Sequence, residues 1–173
     1  MKVLDPKKSF VNGDSGNTRD QLSTVYEAQI PRGHLGWGNV STLGFSLAAA
    51  LGAKLAFPDR QCVAITGDAG MCYMMGDFEA TARHKLGITV IHINNGGFSG
   101  YGPGFWGGGH DPYTWKVSDS NTIHTANMAK NLGLYGERVS EPADVIPALK
   151  RADRKSTRLN SSHMSESRMP SSA

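Results

Sequence analysis

At 173 residues and 39% hydrophobic content, the chain is long enough for one domain with a sizeable core and has an ordinary globular composition. The formal charge of +3 is concentrated in residues 153–173, which hold four Lys/Arg and two Asp/Glu, so it gives little support for a nucleic-acid partner. No apolar run reaches membrane-spanning length, the first residues lack the apolar core of a signal peptide, and the two cysteines lack metal-ligand spacing. We therefore expect a cytoplasmic protein that binds neither nucleic acid nor a membrane.

Strands and helices are predicted to alternate in the first half of the chain. A strand is expected at 9–16, and the Gly-rich segment 30–41 is expected to be loop with a very short strand around Leu35. Segments with apolar residues at helical spacing are predicted as helices: 17–29, 42–57 and 75–87. Continuous apolar runs are predicted as buried strands: 61–67 and 88–94.

The second half opens with a long segment, 96–122, that is dense in glycine and aromatic residues. A loop of this length in a compact domain is usually functional, and its aromatic side chains either line a site or anchor the loop. A helix is then predicted at 123–134, a short strand at 136–139 and a last helix at 141–152.

Strands that are apolar on both faces and alternate with helices indicate a mostly parallel sheet covered on both sides. The predicted fold class is therefore α/β, with three layers in the order α/β/α. Residues 1–8 are expected to be a lead-in and residues 9–152 the domain itself.

The composition changes at Asp153, where the chain becomes Ser-rich, polar and aperiodic, so residues 153–173 are expected to be a disordered tail. The run "DRKSTRLNSSH" resembles the in-frame translation of a common short-read sequencing adapter, which indicates a reading-frame artefact. The alternative is a natural flexible tail.

Polar residues follow two of the predicted buried strands. Asp68 stands directly after the strand at 61–67, and Asn95 follows the strand at 88–94. In an open parallel sheet, ligands collect at the carboxyl ends of the strands. Carboxylate, amide and carbonyl oxygens are the donors that Mg²⁺ takes alongside phosphate oxygens, and neighbouring glycines allow close approach of a diphosphate. The pattern suggests a magnesium–diphosphate site.

The motif "GDAG", followed by 23 residues and then "NNGG", resembles the cofactor motif of thiamine diphosphate enzymes. The segment "GNVSTLGFSLAAALGAKLAFPDR" resembles the one that precedes this motif in acetolactate-synthase-like enzymes, and "FVNGDSGN" resembles the strand that opens their diphosphate-binding domain. The resemblance covers residues 9–152 and implies thiamine diphosphate and Mg²⁺ as cofactors. The family's domain has one more strand after its last helix, between the strands at 88–94 and 136–139, and the chain is expected to lack it.

Position by position, the resemblance implies a role for seven residues. Asp68, the Asn95 side chain and the Gly97 carbonyl would bind the metal, and the N–H groups of Ala69 and Gly70 would hold the diphosphate. Ala69 stands where glycine is commoner, a change that Gly70 is expected to accommodate. Two further matches are Leu43, the apolar wedge that bends the cofactor into a V shape, and Ser41, whose carbonyl would accept from the aminopyrimidine.

Each assignment has a structural alternative. Asp68 is otherwise a helix N-cap, Asn95 a turn residue and Leu43 a core side chain. His110, beside Asp111 in the aromatic segment, is a weak candidate for contacting the substrate. Three further histidines are not expected to be ligands: His84, His92 and His124. Glu79 either helps to orient the phosphate loop or belongs to a solvated helix face, and we expect the second.

The resemblance implies an enzyme that cleaves or forms C–C bonds next to a carbonyl, by decarboxylating a 2-oxo acid or by carboligation with an aldehyde unit. A glutamate from a pyrimidine-binding domain, of the same or a partner subunit, activates the cofactor in this family, and no segment here resembles that domain. We expect the isolated chain to be inactive and its parent to be a homo-oligomer. Two alternatives are the small subunit of a two-chain decarboxylase or oxidoreductase, and a non-catalytic, flavodoxin-like phosphate- or nucleotide-binding module.

Overall fold

Three parallel strands form the centre of the fold in the computed structural model, which describes residues 3–94 and 124–159. They are β1 (Ser9–Gly13), β2 (Gln61–Gly67) and β3 (Ile88–Ile93), in the order β1-β2-β3. The register pairs Val11 with Val63 and Val63 with Thr89. The predicted parallel α/β sheet is confirmed, since β1, β2 and β3 all lie within the predicted strand segments.

The predicted short strand around Leu35 is reduced to a single bridge. His34 pairs in parallel with Val11, and the Val11 N–H donates to the carbonyl of Gly33 at 3.0 Å. The glycines around this point leave too few side chains to extend the pairing.

Six helices accompany the sheet in the described residues. They are α1 (Asn17–Val25), α2 (Phe45–Ala56), α3 (Asp68–Met74), α4 (Asp77–Arg83), α5 (Thr125–Asn131) and α6 (Val145–Leu159). The helix predicted at 75–87 is formed over Asp77–Arg83 as α4, and a further helix that was not predicted, α3, begins directly at the end of β2. Gly76, a poor helix former, stands between them.

The sheet is covered on both faces by separate apolar clusters. On one face Phe10 and Cys62 pack with Ala53 of α2. On the other, Val11 and Val63 pack with Leu22 of α1. Successive residues of a strand point to opposite faces, so this division follows from the run of apolar residues in β1 and β2. The three-layer architecture is thereby confirmed.

The expected disorder from residue 153 is wrong for residues 153–159, because α6 continues to Leu159 after a 3-10 turn at Pro142–Asp144. Asp153 accepts a hydrogen bond from the Gln61 side chain at 2.8 Å, and α6 packs against β3. Arg154 and Lys155 then lie toward the helix C-terminus, where positive charge is favourable. Residues 160–173 lie outside the described residues, and the adapter origin of the tail stays a prediction.

The strand predicted at 136–139 is also not formed. Glu137 and Arg138 are exposed, Glu137 is held by a salt bridge with Arg151, and no described strand pairs with this segment. Without a neighbouring strand among the described residues, this segment has no ladder to join.

Two expectations about composition can be compared with the structure. Cys62 and Cys72 are both free thiols. None of the helices in residues 3–94 and 124–159 is long and apolar enough to cross a membrane.

Candidate functional site at the carboxyl ends of the strands

Asp68 is the first residue of α3 and lies directly after the last residue of β2. Its side chain is fully buried. The register pairs Gly67 with Ile93, so the two strands end side by side and are followed by Asp68 and Asn94. This places the predicted metal ligand Asp68 next to the strand from which the motif "NNGG" continues. Three candidate residues, Asn95, Gly97 and His110, lie outside the described residues.

The Asp68 carboxylate has a partner that the sequence did not predict. Its Oδ1 lies 2.8 Å from Nε2 of His92, in β3, and Nδ1 of the same imidazole lies 3.0 Å from the Thr125 hydroxyl at the start of α5. The His92 side chain is 9% exposed. The strand register could have indicated this contact. It pairs His92 with Thr66, and Asp68 follows Thr66 by two residues, which is the spacing at which side chains point to the same face of a sheet.

The turn that follows β2 is closely packed against β1. Ala69 and Gly70, whose N–H groups are predicted to hold the diphosphate, are both buried. A Cβ on Gly70 would lie 1.9 Å from Oδ2 of Asp14 and 2.6 Å from Oγ1 of Thr66. Gly70 therefore cannot carry a side chain here, whereas Ala69 fits at 5% exposure. The departure from the family's glycine at Ala69 is accommodated.

Asp14, directly after β1, is a third acidic residue at a strand end, and the sequence analysis gave it no role. Its carboxylate is fully buried and accepts three hydrogen bonds. The donors are the Gly44 N–H at 2.9 Å and the Thr66 hydroxyl at 2.8 Å, both to Oδ2, and the Ser15 N–H at 3.0 Å to Oδ1. The position of Asp14 after a strand, the same as that of Asp68, was the available signal.

The two predicted cofactor residues outside the strand ends, Ser41 and Leu43, lie in the loop before α2. Ser41 has φ 59° and Gly44 has φ 82°, both in the left-handed region that non-glycine residues rarely adopt. The hydroxyls of Ser41 and Ser15 are hydrogen-bonded to each other. Leu43 is half-buried and Ser41 exposed. Hydrogen bonds from β1's end, through Asp14 and Ser15, therefore hold this strained loop at two points.

Cys72 and Glu79 are the other reactive groups near this edge. Burial, and then the negative charge of Asp68, raise the pKa of the Cys72 thiol, which stays protonated and is a poor nucleophile. Glu79 is exposed and paired with Arg83 at 2.9 Å, and the hydrogen bond from Arg83 lowers the pKa of Glu79. Glu79 belongs to a solvated helix face, as expected.

Within residues 3–94 and 124–159, no three His, Cys, Asp or Glu side chains form a group that could hold a metal. The predicted ligand set has a different composition. It takes one carboxylate, from Asp68, and completes it with an amide and a carbonyl oxygen from Asn95 and Gly97.

Comparison with known proteins shows the family. Residues 14–159 match the model described as "Thiamine pyrophosphate enzyme, C-terminal TPP binding domain". A probable acetolactate synthase of Mycobacterium bovis (strain ATCC BAA-935 / AF2122/97) is 30% identical over 158 residues, which is 88% of this chain and 27% of that protein. A 2-hydroxyacyl-CoA lyase of Arabidopsis thaliana is 34% identical over 98 residues, 57% of this chain and 17% of that protein.

A solved structure has the same fold. The thiamine diphosphate-dependent 4-hydroxybenzoylformate decarboxylase of Rhodococcus jostii RHA1 matches with a TM-score of 0.75 and 25% identity, covering 88% of this chain and 28% of that one. The chain thus spans 17% to 28% of the length of these three proteins.

Proposed function

Since the chain belongs to the thiamine pyrophosphate enzymes and contains their C-terminal TPP-binding domain, we propose that it holds the diphosphate of thiamine diphosphate through Mg²⁺. Asp68, Asn95 and Gly97 supply the metal ligands in this proposal. The observation that carries it is the buried Asp68 carboxylate at the end of β2, beside the strand that leads into "NNGG".

The described residues fit such a group. Asp68 is a hard oxygen donor, the type that Mg²⁺ prefers. The proposed diphosphate donors, the N–H groups of Ala69 and Gly70, belong to the first turn of α3, where backbone N–H groups have no partner within the helix. Leu43 and Ser41, on the loop held by Asp14 and Ser15, are placed by the proposal under the thiazolium and beside the aminopyrimidine.

When bound, thiamine diphosphate supplies a carbon nucleophile and an electron sink for a carbanion. The chain's residues would bind and orient the cofactor: Asp68 would hold the metal, Leu43 would set the shape of the cofactor, and the Ser41 carbonyl would accept a hydrogen bond from the amino group of the pyrimidine. The reaction class that follows is decarboxylation of a 2-oxo acid or carboligation next to a carbonyl. The names of the three similar proteins, a synthase, a lyase and a decarboxylase, support this class.

We further propose that activity needs a pyrimidine-binding domain, from the same or a partner subunit, in a cytoplasmic homo-oligomer. The isolated chain is then a cofactor-binding unit without turnover, and His110 is a candidate contact to the 2-oxo acid or aldehyde.

Isothermal titration calorimetry of residues 1–173 with thiamine diphosphate tests the proposal. We expect binding in the presence of Mg²⁺ and its loss when EDTA replaces the metal, because the diphosphate charge needs the cation. Binding that is equal with and without Mg²⁺ would instead favour a non-catalytic phosphate-binding module. No binding in either condition would contradict the proposal.

The proposed role of Leu43 predicts a separation of binding from turnover. In a complete enzyme that contains this domain, Leu43→Ala should lower kcat more than it weakens cofactor affinity, since the metal and diphosphate contacts lie elsewhere. Steady-state kinetics beside a cofactor titration measures both. If Leu43 only packs the core, the variant should lose roughly 2–5 kcal/mol of stability and keep normal kcat in the folded fraction. Ala48→Gly, at an exposed position in α2, is a control for helix stability.

A further inference from the structure

We infer that His92 is a positioning residue for the magnesium site: the N–H group at Nε2 of its imidazole orients the Asp68 carboxylate before the ion binds. This inference rests on the proposed function, which makes Asp68 a metal ligand. It adds a residue that neither the sequence motif nor the family model assigns.

The two hydrogen bonds of the imidazole define its tautomer. The Asp68 carboxylate can only accept, so Nε2, at 2.8 Å from Oδ1, carries the proton. In the neutral ring Nδ1 is then an acceptor, and the Thr125 hydroxyl, at 3.0 Å, donates to it. The chain of donors runs from Thr125 through His92 to Asp68 and reaches three elements: α5, β3 and the start of α3.

His92 is not itself available as a metal ligand in this arrangement. A metal takes a ring nitrogen through its lone pair, and here the Nδ1 lone pair faces the Thr125 hydroxyl while Nε2 holds a proton directed at Asp68. In this inference His92 acts on the site through Asp68 and not as a ligand.

Burial makes the contact effective. The side chains of His92 and Asp68 are 9% and 0% exposed, so water competes little for their hydrogen bond. A carboxylate held in one orientation loses less conformational freedom when it binds an ion. Groups that hydrogen-bond to metal ligands in this way typically contribute about 10- to 100-fold to metal affinity.

The test compares two replacements of His92 in the 173-residue chain. His92→Phe keeps a planar ring but has no donor, whereas His92→Gln carries an N–H group that can replace Nε2–H. We expect Mg²⁺ affinity, titrated at a fixed thiamine diphosphate concentration, to fall about 10- to 100-fold for Phe and to be largely restored for Gln. His84→Phe, at an exposed position, should leave it unchanged.

A second measurement is made on the wild-type chain without cofactor, so it does not depend on whether a variant folds. The ¹⁵N chemical shifts of the six histidines at pH 8, without Mg²⁺, report each tautomer. His92 is identified by the signal that disappears in His92→Gln or, if that variant does not fold, by contacts to Thr125. We expect its proton on Nε2, and a proton on Nδ1 would overturn the inference.

The outcomes separate the inference from the proposed function. Failure of the wild-type chain to bind thiamine diphosphate with Mg²⁺ counts against the proposed site, and the role of His92 in it falls with the site. Normal wild-type binding with equal Mg²⁺ affinity for His92→Phe and wild type removes only the role of His92. Equal losses of Mg²⁺ affinity for His92→Phe and His92→Gln, with thermal stability in EDTA lowered equally in both, would also overturn the inference. This result is expected if His92 only fills space, because a donor in the Gln side chain would then restore nothing.

Discussion

Asp68→Ala is expected to remove Mg²⁺-dependent binding of thiamine diphosphate. Asp68 supplies the only carboxylate of the proposed ligand set, and amide and carbonyl oxygens without it leave the ion's charge poorly compensated. The loss of affinity should be at least about 100-fold, which is about 2.8 kcal/mol. Calorimetry with the cofactor at saturating and at zero Mg²⁺ measures this directly.

Asp77→Ala is the matched control for this substitution. Asp77 is also the first residue of a short helix, α4, and differs from Asp68 in not following a strand of the sheet. Its loss removes one favourable charge at a helix N-terminus, which contributes roughly 0.3–1 kcal/mol to stability, and should leave cofactor affinity unchanged. Equal affinities for Asp68→Ala and wild type would refute the metal assignment, and equal losses for both variants would show a general effect on folding.

The position of the site could be predicted from the sequence because it depends on local signals. The apolar run at 61–67 ends at Gly67, and an acid at that end of a buried parallel strand lies at the ligand-binding edge whatever the rest of the chain does. The strand at 88–93 and helix α2 carry equally local patterns. For these elements the hydrophobic period and the turn residues agree with the fold.

The errors occur where pairing or capping between distant segments decides the structure. Residues 136–139 are predicted as a strand, but a strand exists only where a neighbouring strand offers a ladder, and no described segment does so. Asp153 belongs to a polar sequence that lacks periodicity, yet it extends α6 and bonds to Gln61, 92 positions away along the chain. The local composition of a segment does not reveal which distant segment it will contact.

The supporting residues His92 and Asp14 were missed for a related reason. His92 is a polar residue in an apolar run, and only the register with Thr66 places it beside Asp68. Asp14 needs the fold of a loop 30 residues away, at Gly44, to complete its set of donors. Residues that act through a contact far away in sequence carry no short motif of their own.

Asp14→Ala is expected to be the most destabilising single substitution at this edge of the sheet. It would leave the Gly44 N–H and the Ser15 N–H without their acceptor, and the Thr66 hydroxyl with only its longer contact to the Gly67 carbonyl, at 3.2 Å. A buried polar group without a partner costs about 1–3 kcal/mol. Some of these donors can relax toward water, so we expect a total loss of about 3–5 kcal/mol. Thermal unfolding should show a Tm lower by on the order of 10 °C.

Asp14→Asn separates the hydrogen bonds from the volume of the side chain. Its amide oxygen can replace Oδ2, which accepts from both Gly44 and Thr66, but its NH₂ group must then face the Ser15 N–H, donor against donor. The expected loss is therefore intermediate between wild type and Asp14→Ala. Asp59→Ala, which removes an exposed carboxylate, should change the free energy of unfolding by no more than about 0.5 kcal/mol. If Asp14→Ala were as mild as this control, the hydrogen bond from the Gly44 N–H to Asp14 could not be what holds the loop of Ser41 and Leu43 against the strand ends.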